Sequence, residues 1–128
     1  MNKWLVSALA ACALTAGSLA HAQGVDEHMK AIAKSYRTVL NADSPEALKQ
    51  GLTTMKQEAQ LAQKGVPDKL EGKSPDSPEM KDFRHGLDEL IGEIDAAQAL
   101  ADAGKLDQAK QAAEQFKATR DEYHKKYK

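Results

Sequence analysis

Residues 78–102, PEMKDFRHGLDELIGEIDAAQALAD, place an apolar side chain at every third or fourth position: Met80, Phe83, Leu87, Leu90, Ile94, Ala97 and Ala101. That spacing follows the 3.6-residue turn of an α-helix, so all seven fall on one face. Such a face has to be buried against something. The chain supplies three more of the same kind. Val25, Met29, Ile32, Tyr36 and Val39 make one. Leu48, Leu52, Met55, Ala59 and Ala62 make a second, and Leu106, Ala109, Ala113, Phe116, Tyr123 and Tyr127 a third. Ala, Lys, Glu, Gln, Leu and Asp dominate between the stripes and β-branched residues are few, as helices prefer.

The punctuation falls between the stripes. Asn41 to Glu46 ends the first helix and caps the second, with Pro45 at the tolerated first-turn position. Gly65 to Asp76, rich in Gly, Pro, Ser and charge, reads as the longest loop, and Ser77-Pro78-Glu79 restarts a helix. Gly104 is a C-terminal stop, with Lys105 opening the last helix. Short first and third connections force antiparallel neighbours. The expected fold is therefore all-α, an antiparallel up-down-up-down four-helix bundle.

Residues 1–22 read as an export signal. Lys3 is the positive n-region, Trp4 to Leu19 is uncharged and mostly apolar, and Ala20-His21-Ala22 is a small-x-small cleavage pattern. The run is too short and too rich in small residues for a membrane span, so no stable membrane insertion is expected. On this reading cleavage follows Ala22, and residues 23–128 form one exported, periplasmic domain, expected to be a monomer. Leu9-Ala10-Ala11-Cys12 also resembles a lipoprotein box, but Ala13 to Ala20 continues the apolar run past Cys12 and argues against a cut there. Losing the signal removes the sole cysteine and the sole tryptophan. Without cysteine the mature chain has no CxxCH haem attachment, no iron–sulfur cluster and no thiolate zinc site. The formal charge of -1 becomes -2 on loss of Lys3, and with no basic block nucleic acid is not an expected partner.

Antiparallel topology brings the start of the first helix and the end of the fourth to one end of the bundle. Met29 lies near that start and His124 near that finish. A thioether and an imidazole facing each other there could hold a metal from opposite sides, and haem iron accepts such a pair. Each has a plainer explanation: Met29 as a flexible core filler, His124 as a base favoured by the helix dipole. The pattern alone does not tell haem from any other occupant. Arg120, one turn before His124, continues the last stripe where an apolar residue is expected. A charge there needs a partner, which a haem propionate or a carboxylate such as Glu27 could provide. His28, rotated about 100° from Met29, is expected to face solvent, as is His85 on a flank of the third helix. No Glu-x-x-His pairs suit a di-iron bundle, and no catalytic triad, phosphate loop or zinc signature has usable spacing, so no enzyme is expected. A cofactor-free exported bundle with a binding or chaperone-like role is the alternative.

Three stretches carry a family resemblance. Lys73-Ser-Pro-Asp-Ser-Pro-Glu-Met-Lys-Asp-Phe-Arg-His-Gly86, Ala112-Ala-Glu-Gln115 and Arg120-Asp-Glu-Tyr-His124 closely resemble the soluble periplasmic cytochromes b562, and the match extends without gaps from about residue 24 to the last. Cytochrome b562 is itself a reference example of the up-down bundle, so resemblance and topology are not independent. The resemblance implies one non-covalent haem b per chain, axial ligands at Met29 and His124, Arg120 near the haem edge, and single-electron transfer with redox partner proteins. Two departures are visible: Leu87 stands where an aromatic wall against the haem is expected, and His28 stands beside Met29.

Overall fold

The computed structural model describes residues 24–128. The expected export signal, its cleavage after Ala22 and Cys12 lie outside the described residues. Within them there are four α-helices and no strand: α1 (Val25–Asn41), α2 (Pro45–Ala62), α3 (Pro78–Asp102) and α4 (Leu106–Tyr127). The helix starts follow from local chemistry. Ser44 and Ser77 accept hydrogen bonds from the backbone N–H groups of Ala47 and Met80, both at 3.2 Å, and each is followed by proline at the first helical position. These caps satisfy donors that the first turn leaves without partners. At the end of α3, Gly104 adopts φ +78°, its N–H donates to the Ala101 carbonyl, and the Lys105 N–H reaches back to Leu100. That six-to-one closure needs a left-handed residue, which glycine supplies without strain.

Each helix packs on its neighbour in sequence: α1 on α2, α2 on α3, α3 on α4. The ring then closes only loosely, because α1 and α4 approach each other sparsely. Val39, Leu48, Leu52, Met55 and Ile94, with Ala59, Ala62, Ala97, Ala101, Ala109 and Ala113, are shut away from water at its centre. The long connection is not featureless. Asp68–Leu70 forms a single 3-10 turn, and Leu70 is buried, covering one end of the core beside α4. The sequence reading treats this segment as loop, because one leucine among Gly, Pro and charge has no periodicity to betray it.

Candidate functional site

One end of the bundle gathers the start of α1, the end of α2, the start of α3 and the end of α4. Val25 lies against Gly65 just after α2, the Gln63 side-chain amide donates to the Arg84 carbonyl at 3.1 Å, and Phe83 meets Tyr127 edge-on at 6.0 Å. Met29 and His124 both belong to this end.

The register across the loose seam places them further. The Tyr36 hydroxyl of α1 donates to the Ala113 carbonyl of α4 at 3.0 Å, and its ring lies 5.7 Å from that of Phe116. Two turns towards the site from this crossing lie Met29 on α1 and Arg120 on α4; His124 is one turn beyond Arg120, about 6 Å along the helix. Met29 is half-buried and packs on the edge of the core. His124 is also half-buried, and its side chain makes no hydrogen bond or ion pair within the described residues. Burial holds its imidazole below the usual histidine pKa, and the cationic Lys128 and Arg120 press it the same way. The ring is thus kept neutral, with a nitrogen lone pair to offer. Below this level the seam opens into a shallow groove lined by Tyr36 and Leu40 of α1 and by Glu114, Lys117, Ala118 and Asp121 of α4.

The other flank of α4 is anchored firmly to α3. The Tyr123 ring lies flat on Gly86, so near that a Cβ there would sit 2.6–2.7 Å from three ring atoms. Its hydroxyl donates to Glu89 at 2.8 Å, while the Tyr127 hydroxyl and Lys126 both donate to Asp82. Hydrogen bonding from Tyr127 lowers the Asp82 pKa, and burial with Asp82 as acceptor pushes the Tyr127 phenol up to about 12. These two tyrosines fix the last turns of α4, and with them the neighbouring His124. Glycine opposite tyrosine is the signal that sequence reading passed over: a helical Gly86 costs helix stability unless something needs the space.

Two side chains stand differently from the sequence expectation. Arg120 is exposed rather than turned into the core; Thr119 takes the buried position and Arg120 pairs with Asp121 at 3.0 Å, while Glu27 pairs with Lys30. A step of three from Phe116 continues the stripe as well as a step of four, and Thr119 satisfies its hydroxyl by donating to Glu93 at 2.7 Å. Arg120 nonetheless lies near enough for its charge to oppose the rise that burial gives the Tyr36 pKa on α1 and to lower the His124 pKa on α4. His28 is buried, not solvated, and its Nδ1 lies 2.6 Å from a Glu58 oxygen on α2. A helix at the corner of a bundle has two neighbours, so a residue 100° from one buried row can lie in another. His85 is exposed as expected, 3.6 Å from Glu89. Leu87 is buried on α3, one turn after Phe83.

These residues suit a flat, largely apolar group held at this end of the bundle: a half-buried thioether from α1, an unpartnered imidazole from α4 and the cation of Arg120 one turn away. No cysteine occurs among the described residues, so nothing there could bond such a group covalently through sulfur. Fold and packing define the class, a four-helix bundle whose first and last helices meet only sparsely. A family model described as cytochrome b562 matches residues 24–128. The chain is 56% identical over 128 residues, the full length of both proteins, to a "probable soluble cytochrome b562 2" of Yersinia pestis. It is 33% identical over 111 residues, 87% of each chain, to a "probable soluble cytochrome b562 1" of the same organism. An uncharacterized Pasteurella multocida protein is 29% identical over 119 residues, 90% of this chain and 93% of its own. The chain belongs to the cytochrome b562 family. It is accordingly a cytochrome that holds haem b without covalent links and carries electrons, not an enzyme.

Proposed function

We propose that the protein is a periplasmic one-electron carrier whose haem iron is held axially by Met29 from α1 and His124 from α4, with Arg120 pairing with a propionate. The observation that carries this reading is the seam itself: α1 and α4 touch only sparsely, their two hydrogen bonds lie away from the Met29 end, and chain direction brings a half-buried thioether and an unpartnered imidazole to that end. Haem, when bound, supplies the ferric–ferrous couple. The chain's part is to position and insulate. Met29, a soft thioether, favours the ferrous state and raises the potential. His124 donates through a nitrogen that burial keeps unprotonated. With Met29 and His124 both holding it, the iron would offer oxygen or peroxide no open position, which suits outer-sphere electron transfer. Leu87, smaller than an aromatic ring, shapes the pocket wall without touching ligation. No described helix is long and apolar enough to cross a membrane, and the Ala20-His21-Ala22 pattern supports export with Gln23 as the first mature residue. Working as a monomer, the protein meets its redox partner proteins at the same bundle end.

The reconstituted parent should show a low-spin visible spectrum in both oxidation states. Met29→Ala and His124→Ala should each move it towards high spin, His124→Ala with weaker haem retention as well. A low-spin spectrum unchanged by Met29→Ala would take that residue out of the site.

A further inference from the structure

The part-buried contact between His28 and Glu58 is a polar pair on a helix whose buried residues are otherwise apolar or aromatic except at Ser35. Its place in the helix explains what it does. α1 carries two parallel rows of side chains. His28, Ser35 and Val39 lie towards α2: a Cβ on Gly51 of α2 would meet the Val39 Cγ2 at 2.8 Å and the Ser35 carbonyl at 3.4 Å, and His28 meets Glu58. Met29, Tyr36 and Leu40, each one residue later, form the second row. Tyr36 bonds to α4, and Tyr36 and Leu40 line the groove that α4 shares. The rows are bound together by the helix, about 100° apart, so whatever fixes the first row against α2 fixes the direction of the second.

The first row is fixed at two points. At Gly51 the backbones come close, with only the small residue between Ser35 and Val39. Two turns nearer the site, His28 and Glu58 each lie seven residues from that crossing, on opposite helices, which is the register an antiparallel pair requires. Val25 against Gly65 is an apolar contact one turn away; it sets distance but has no directional preference. A hydrogen bond of 2.6 Å to a carboxylate does, and the carboxylate requires that Nδ1 carry the proton. We propose that His28 and Glu58 are positioning residues: they set the rotation of the first turns of α1 and thereby aim the Met29 thioether across the seam at α4. This rests on the reading of Met29 as an axial ligand. The pair would act through Met29 alone, by keeping its thioether where it could hold the iron.

The test uses the haem-loaded ferric protein and cyanide, which must displace Met29 to bind. His28→Ala and Glu58→Ala should each tighten cyanide binding about tenfold, the ratio expected for loss of one charge-assisted hydrogen bond. The double variant should bind no tighter than either single one, and His28→Gln, which keeps an N–H donor, should return most of the way to the parent. A pair serving stability alone would lower Tm in haem-free and haem-loaded protein alike and leave cyanide affinity where it was; that result overturns the proposal. Should His28→Ala fail to fold, by its far-ultraviolet circular dichroism, Glu58→Ala carries the same test from a half-exposed position. Met29→Ala is the control. If it raises cyanide affinity while the His28 and Glu58 variants do not, the positioning role alone falls. If it changes nothing and His28→Ala abolishes the low-spin spectrum, His28 is itself the ligand and both readings fall.

Discussion

Where α3 meets α4, side chains lace together the half of each helix nearest His124: Glu93 with Thr119, Glu89 with Tyr123, Asp82 with Tyr127 and Lys126. Where α1 meets α4, the hydrogen bonds among the described residues both go to backbone carbonyls, Tyr36 to Ala113 and Lys110 to Ala42. Both lie away from the Met29 end. The second seam is thus pinned only in its far half, and no hydrogen bond among the described residues crosses it at the Met29 end. A seam laced like the first would have to break hydrogen bonds to admit a flat ring, and each buried group stranded in that way would cost about 1–3 kcal/mol. The firm seam serves the loose one, because it holds α4 still where α1 is not bonded to it.

The comparison is most severely broken by Gly86→Ala. Alanine gains about 1 kcal/mol in helix preference, but its methyl group meets the Tyr123 ring. That ring cannot swing away: Glu89 holds its hydroxyl, Tyr127 stacks 6.4 Å away, and Lys126 lies 4.7 Å from its centroid. Overpacking of this kind costs up to about 3 kcal/mol, so a net loss of about 2 kcal/mol is expected. Calorimetry should register it as a Tm lower by roughly 8 °C, and a Tm at or above the parent's would show that the ring gives way freely. Tyr36→Phe attacks the open seam instead. The ring keeps its packing on Phe116 and loses only the bond to Ala113, so stability should fall by about 1 kcal/mol. Urea unfolding should show a lower midpoint with unchanged slope.

Glu93→Gln has the smallest effect and the most specific one. Burial raises the Glu93 pKa, Thr119 opposes the rise by donating to it, and Glu89 reinforces it; the second carboxylate oxygen is buried without a partner. A raised carboxyl pKa means that the folded state prefers the protonated form. Its stabilisation is complete below the ordinary carboxylate range and is lost as pH rises through the folded value. Glutamine is uncharged throughout, so the Tm of the variant relative to the parent should be higher at pH 7 than at pH 4. An identical difference at both values would mean that Glu93 titrates normally in the fold.

Most of the bundle is legible in the sequence because periodicity and capping agree. The stripe from Met80 to Ala101, Ser77-Pro78 before it and Gly104 after it each point to the same helix, and the structure has it from Pro78 to Asp102. Met29 and His124 reach the same end through chain direction alone. What periodicity cannot settle is phase at the edge of a stripe. Thr119 and Arg120 fit equally well on paper, and the choice between them is made by Glu93 on another helix. His28 is misplaced for a similar reason, since its angle from Met29 is readable but the second helix waiting at that angle is not. Leu70, alone among polar residues, has no pattern at all.

The loose contact between α1 and α4 also bears on how the molecule assembles. Every extensive helix contact joins elements that follow one another in the chain, so each can form as a local hairpin with little loop-closure entropy. Topologies built from such short-range contacts fold fast. The one pairing that must span nearly the whole domain is the one the fold leaves weakest. The three hairpin interfaces can therefore be complete while the first and last helices are still only tacked together, which leaves closing the ring as the final, long-range step.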